Sequence, residues 1–231
     1  MRRYVNALDQ RHFVRSMNRQ FVALSDAGCF ATAVVTTFFA PTNYLTLCNA
    51  GHPLPLLYRA KARRWSFLEN TTESRSKKVA NIPLGIADIA DYEQFTTRLN
   101  VGDLVMCYSD SLIESHSSSG EMLGQRGLLA LANDIDVAEP PRAIANLLSR
   151  IKSLAVENLK GDDVTVLLFR VNGSAVRVSL AGKVMGSLRV LRGLIGSILP
   201  RGGPAPLPDL SLANLGGALF DRLNRLWRGP K

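Results

Sequence analysis

The sequence predicts an α+β domain: an antiparallel β-sheet core with helices on its outer faces, followed by a basic amphipathic tail. Three observations carry this reading. Residues 27–58 carry no formal charge yet are punctuated by Pro41, Thr42, Asn43, Pro53 and Pro55, with flanking runs rich in Val, Thr, Phe and Tyr, as paired strands are. Apolar residues recur at helical steps before this stretch and again after Pro140-Pro141. Finally, the charge is uneven. From Val171 onward nine basic residues face two acidic ones, so that +7 of the formal +9 lies there.

The first helix is expected where Phe13, Met17, Phe21 and Leu24 step by four, four and three, placing them on one face that needs a sheet to cover. A hairpin follows, Phe30 to Phe39 paired with Tyr44 to Leu47. Further strands are expected at Pro55 to Tyr58, Trp65 to Leu68, Phe95 to Leu99, Leu104 to Tyr108 and Val164 to Arg170, with Gly102-Asp103 as a tight turn. Pro140 and Pro141 open a helix with the stripe Ile144, Leu147, Leu148, Ile151 and Leu154, since proline is tolerated where the first-turn N–H is unpaired anyway.

Residues 1–171 are expected to form one domain and 172–231 the tail. A Pro/Gly linker at 200–206 divides the tail, and helix-like stripes lie on both sides of it. Leu219, Phe220, Leu223, Leu226 and Trp227 share a face opposite Arg222, Arg225 and Arg228, a pattern suited to packing on the domain itself, to an anionic membrane surface or to an acidic partner. Neither stripe reaches the ~18 uninterrupted apolar residues of a membrane span.

Because the domain itself is nearly neutral, no nucleic-acid partner is expected. Three widely spaced cysteines (Cys29, Cys48 and Cys107), each set among apolar neighbours, and a start without an apolar signal core point to a reducing, cytoplasmic setting. A thiol dyad of Cys48 with His52 lacks an orienting third group, and the cysteines lack the paired spacing of a zinc site.

Three motifs carry the chemistry. Asn49-Ala50-Gly51-His52-Pro53 ends a strand; Gly102-Asp103 leads through a strand to Asp110-Ser111; Gly161-Asp162-Asp163-Val164-Thr165 opens another strand. A strand-end aspartate by itself most often caps a turn. Carboxylates delivered from adjacent strand ends, however, can share one sheet edge, where a hard cation neutralises them.

In order and wording these motifs resemble the SpoIIE/RsbU-like branch of the PPM-type, metal-dependent serine/threonine phosphatases. Phe30-Ala31-Thr32-Ala33 is similar to that family's FxTA strand, Cys48 to Pro53 to its NAGHP turn, and Gly102-Asp103 with Tyr108-Ser109-Asp110 to its GD…YTDG segment. Glu121 to Gly124 is similar to its GExFG turn, and Asp162 to Thr165 to its DDxT.

The resemblance implies a β-sandwich with helices outside and hydrolysis of phosphoserine or phosphothreonine on a regulatory protein. It implies Mn²⁺ or Mg²⁺, two ions in the family, with Asp110 and Asp162 as catalytic metal ligands. Asp163, Asn49, Gly51, His52 and Ser111 would line or support the cleft.

Before Phe30 nothing resembles the family's early strand pair or its DVxGHG segment, whose aspartate bridges the metals. The expected domain is therefore N-terminally incomplete, with one ligand set, exposed edges and a tendency to self-associate. Ser111 stands where the family has glycine, implying strain or a changed turn. The alternative reading is a noncatalytic interaction module, or a truncated fragment, docking through its tail.

Overall fold

The computed structural model describes residues 10–24, 29–40, 43–70, 81–88 and 90–173. In chain order the elements are α1 (Gln10–Leu24), β1 (Ala33–Phe39), β2 (Tyr44–Ala50), β3 (Leu56–Arg59), β4 (Arg64–Phe67), β5 (Gln94–Arg98), β6 (Leu104–Tyr108), α2 (Ser111–Glu114), α3 (Gly124–Asn133), α4 (Pro140–Leu154) and β7 (Val166–Arg170). Every strand pairing is antiparallel. β1-β2-β5 make one sheet and β4-β3-β6-β7 the other.

The alternation of side chains along each strand separates three cores. Leu45 and Leu47 of β2 meet Leu57 of β3 and Val105 of β6, with Phe38, Phe95 and Phe169 around them, and this cluster joins the two sheets. The opposite face of β2 presents Cys48 and Ala50 to Val14 of α1 and to Tyr92. On the far side Leu56, Leu104, Met106 and Tyr108 pack against Leu112, Leu128, Leu147 and Ile151 from the three later helices. The order is helix, sheet, sheet, helices, the sandwich that the family resemblance implies.

The hairpin, the later strands and the helix after Pro140 fall where expected, each shifted by no more than three residues. Phe30 lies outside β1 and is exposed, because pairing with β2 begins at Ala33. Cys29, expected among apolar neighbours, is likewise exposed.

In α1 the deepest face is Gln10, Val14 and Asn18 rather than the predicted stripe; Phe13, Met17 and Phe21 flank it, half-buried. Buried polar groups need partners, and of the Gln10 and Asn18 side chains only the Gln10 Oε1 is left without a hydrogen bond among the described residues. Gln10 donates from Nε2 to Thr37 Oγ1 (2.7 Å) and to the Thr46 carbonyl (3.2 Å). Asn18 accepts from Gly85 N–H (2.9 Å) and donates to the Ala87 carbonyl (2.8 Å).

The short α2 and the ten-residue α3 were not anticipated. Their apolar residues are too few, or too interrupted by polar ones, to show a helical period. The Pro/Gly linker and Arg222, Arg225 and Arg228 lie outside the described residues. Among the described residues no helix is long and apolar enough to cross a membrane.

Candidate functional site

The site begins with the turn after β2. Gly51 has φ +69°, a left-handed conformation that favours glycine, and a Cβ there would stand 2.4 Å from Pro83 Cγ. Asn49 closes the turn with both ends of its amide: Oδ1 accepts from His52 N–H (2.9 Å) and Nδ2 donates to the His52 carbonyl (2.8 Å). The Gly51 N–H donates to the Asn81 carbonyl (2.7 Å), which ties the turn to the segment before β5.

The turn aims the His52 ring across the sandwich. Its Nδ1 lies 3.1 Å from Thr32 Oγ1 beside the first sheet. The Tyr108 main chain, at the end of β6 in the second sheet, lies near enough to the ring to favour its protonated form. Burial lowers the pKa of His52 below its ordinary value, against the opposing pull of the Tyr108 main chain and the Asp110 charge. The imidazole is therefore neutral at pH 7 and sits within the field of Asp110.

Asp110 follows β6 as the N-cap of α2, its Oδ1 accepting from Ser111 N–H (3.1 Å). Asp162 precedes β7, its Oδ1 accepting from Asp163 N–H (2.7 Å). Both carboxylates are exposed, as is Asp163.

What fixes the two segments to each other is a pair of hydroxyls whose joint role no sequence pattern signals. Ser109 Oγ and Ser111 Oγ each stand 3.1 Å from the Asp163 carbonyl oxygen and 2.7 Å from each other. Ser109 Oγ also accepts from Thr165 N–H (3.0 Å), and Ser109 N–H donates to the Thr165 carbonyl (3.0 Å). Two hydroxyl protons thus serve three oxygen–oxygen contacts.

Ser111 resolves the choice left open by its replacement of glycine. It is the first residue of α2 and is not among the described non-glycine residues with positive φ, so the turn has changed and carries no strain there.

Two clefts flank these residues. One, of about 340 Å³, opens over Leu47 and Phe95 and is lined by Asn49, Gly51, His52 and Glu93. The other, of about 290 Å³, is lined by Ser111, Glu114, His116, Glu157, Asn158 and Asp162.

Asn158, also unforeseen, is buried. It donates to the carbonyls of His116 and Ile151 (2.8 Å each) and accepts from His116 N–H (2.8 Å), anchoring the loop that leads to Asp162. A single asparagine in a polar loop gives no signal in sequence. Next to it Leu159 has φ +61°, a conformation uncommon for a branched side chain.

Oxygen donors on adjacent strand ends suit a hard cation such as Mn²⁺ or Mg²⁺. Two carboxylates are the donor chemistry of one such ion completed by water. Among the described residues no group of three or more acidic, histidine or cysteine side chains is placed to hold a metal, so a bridged pair of ions does not fit this donor set.

The antiparallel sandwich with outer helices is the fold of PP2C-type phosphatase domains, and the solved structures similar to this chain include three such domains. The RsbU and RsbW domains of Rv1364c from Mycobacterium tuberculosis align with a TM-score of 0.53 at 21% identity, covering 80% of this chain and 50% of that one. The phosphatase domain of the cell fate determinant SpoIIE from Bacillus subtilis, in a crystal form without domain swapping, aligns at 0.56 and 14%, covering 74% and 69%. The SiaA-PP2C domain of Pseudomonas aeruginosa aligns at 0.53 and 15%, covering 66% and 57%.

Within that class the chain belongs to the Stage II sporulation protein E (SpoIIE) family, whose model matches residues 4–172. It is 24% identical over 157 residues to the phosphoserine phosphatase RsbU of Bacillus subtilis (strain 168), covering 68% of this chain and 44% of that protein. The chain thus spans about half the length of the first relatives it matches.

Proposed function

We propose that this chain carries part of a metal-dependent phosphatase centre directed at phosphoserine or phosphothreonine on a regulatory protein of bacterial-type signalling. In this reading Asp110 and Asp162 hold one Mn²⁺ or Mg²⁺. The observation that carries it is the Ser109–Ser111 pair on the Asp163 carbonyl, which fixes the strand ends bearing the two carboxylates relative to each other.

When bound, such an ion supplies Lewis-acid activation of water and neutralises phosphoryl charge during in-line attack. The chain's own residues do the positioning. Asp110 and Asp162 direct carboxylate oxygens from the ends of two hydrogen-bonded strands, and the hydroxyl pair limits how far those ends can separate. His52, held neutral by burial, adds no positive charge where a cation is to sit. Asp163 uses its main chain to brace the strand ends, which leaves its exposed side chain for water or substrate.

The test is Mn²⁺ binding by the full chain, followed by calorimetry, beside turnover of a phosphoserine peptide. Binding of one ion, lost in both Asp110→Asn and Asp162→Asn while the metal-free melting temperature is unchanged, is expected. Unaltered Mn²⁺ binding in both variants would refute the assignment and favour a noncatalytic module.

A further inference from the structure

The candidate site occupies one end of the sandwich, where β6 delivers Asp110 and β7 starts after Asp162. The other end lies roughly 14 Å away along β6. There the β1–β2, β3–β4 and β5–β6 connections meet beside the end of β7. Tyr44, which opens β2, sits between Phe39 of β1 and Arg98 of β5. Arg59 Nη1 donates to the Arg98 carbonyl (2.7 Å) and Nη2 to Thr97 Oγ1 (3.1 Å), which joins the β3–β4 hairpin to β5 across the two sheets. The Asn43 carbonyl accepts from Leu99 N–H (2.8 Å), and the Gly102 N–H donates to the Val171 carbonyl (2.7 Å).

This end is basic and partly apolar. Lys61, Arg63, Arg64, Arg98 and Arg170 are exposed, and none of them is paired with a carboxylate among the described residues. The acidic groups around them have cations of their own. Asp103 is buried on Arg59, and on the α3–α4 connection Glu139 lies 3.1 Å from Arg142 and Asp134 4.0 Å from Arg150, which leaves Asp136. Val101 is 60% exposed in the turn before β6, and Phe39 is 39% exposed at the end of β1. At the site end the sign is reversed, with Glu114, Asp162 and Asp163 exposed alongside Asp110.

We propose that the basic end docks on an anionic lipid surface, with Phe39 and Val101 entering the head-group layer and Lys61, Arg63, Arg64 and Arg98 on the lipid phosphates. Apolar side chains ringed by cations gain both burial and attraction at such a boundary. A nucleic-acid backbone would meet the cations but leave Phe39 and Val101 in water. Several separate convex turns also suit a deformable bilayer better than the fixed relief of an acidic protein. The chain leaves the described residues at this same end: a Cβ on Gly173 would stand 3.2 Å from Val101 Cγ2. Residues 174–231, with nine basic side chains against two acidic ones, are thereby tethered beside the proposed surface and add a second weak attraction to it. Docked in this way, the domain holds Asp110 and Asp162 on its far side, open to a protein in solution.

The test uses the full chain with Cys29→Ser, so that the exposed thiol there is not labelled. The environment-sensitive fluorophore NBD is attached at Val101→Cys or, at the site end, at Met122→Cys, where the native side chain is 61% exposed. Vesicles of phosphatidylserine and phosphatidylcholine are expected to shift the emission to the blue at 101 and not at 122, and phosphatidylcholine alone to shift neither. Without the label, Lys61→Glu with Arg63→Glu is expected to weaken vesicle partitioning about tenfold or more. Arg126→Glu with Lys152→Glu makes the same charge change on the helical layer and is expected to weaken it less than about threefold.

Cosedimentation with vesicles while the label at 101 stays unshifted would overturn the proposal and leave the tail as the sole contact. Equal weakening by the two double variants would reduce the effect to net charge and overturn it likewise. A blue shift at 101 with polyglutamate or a DNA duplex, but none with vesicles, would replace the lipid by an acidic macromolecule.

Discussion

At Ser111 the sequence poses a question that geometry answers. A serine replacing a turn glycine suggests strain that glycine would relieve, yet Ser111 begins α2 and its hydroxyl reaches both Ser109 and the Asp163 carbonyl. Restoring glycine should therefore destabilise. Ser111→Gly is expected to lower unfolding free energy by about 0.5–2 kcal/mol, from the lost hydroxyl bonds and the poorer helix residue, as read from urea melts; an increase in stability would show that strain was present after all. Gly51 is the opposite case. Its left-handed φ and the 2.4 Å approach to Pro83 leave no room for a methyl group, and Gly51→Ala is expected to cost about 2–4 kcal/mol in the same measurement.

At the scale of elements, β6 shows how one strand serves both core and site. Asp103, 1% exposed, opens it: one carboxylate accepts from Arg59 Nη1 (2.9 Å), Ala60 N–H (2.9 Å) and Asn100 N–H (2.9 Å), locking the turn before β6 to the end of β3. Asp103→Ala leaves two N–H groups without their acceptor and a guanidinium without its anion, and should cost about 3 kcal/mol.

Farther along β6, burial raises the Cys107 thiol and the Tyr108 phenol above their ordinary values of 9.0 and 10.0. Tyr92, under α1, is shifted the same way. Because the unfolded chain releases these protons first, their contribution to stability is full below about pH 9 and falls as pH rises through 9 to 10 and beyond. Urea midpoints should be level from about pH 7 to 8.5 and decline above 9, and Cys107→Ala should delay the onset of that decline.

Strand periodicity made β2, β3 and β6 legible in sequence, because each presents apolar side chains to a core on both faces. α1 was legible as a helix but not in its buried face, since its deepest positions are the polar Gln10 and Asn18, whose partners are main-chain groups far along the chain. Motif order pointed to Asp110 and Asp162. The hydroxyl pair and Asn158 stayed hidden, because their roles depend on segments about 40 to 55 residues apart meeting in space.

For the molecule as a whole, the proposed donor set of two exposed carboxylates bears on turnover. In-line phosphoryl transfer gains from charge placed on both the entering and the leaving oxygen, and one ion serves only part of that need. The 231-residue chain alone is expected to show little Mn²⁺-dependent hydrolysis of a phosphoserine peptide. Fusion to an upstream segment containing Asp-x-x-Gly-His-Gly should raise turnover on the order of a hundredfold. Efficient turnover by the chain alone, abolished by Asp162→Asn, would show that no further carboxylate is needed.

The tail adds a separate expectation: Arg222, Arg225 and Arg228, each worth about 1 kcal/mol near an anionic surface, should give salt-sensitive sedimentation with anionic vesicles. Charge reversal of all three should abolish it.

The bonds that seat α1 have a consequence for how this chain is made. Gln10 N–H donates to Gln94 Oε1, 84 residues downstream, and Asn18 waits for Gly85, 67 residues downstream. A ribosome adding about 5–20 residues per second needs roughly 4–17 s to cover the longer of these gaps. During that interval the helix emerges with its seat unmade, its Val14 face open to water or to a chaperone. A stalled nascent chain released at about residue 80 should therefore bind a holdase through residues 10–24, whereas one released beyond β5 should not.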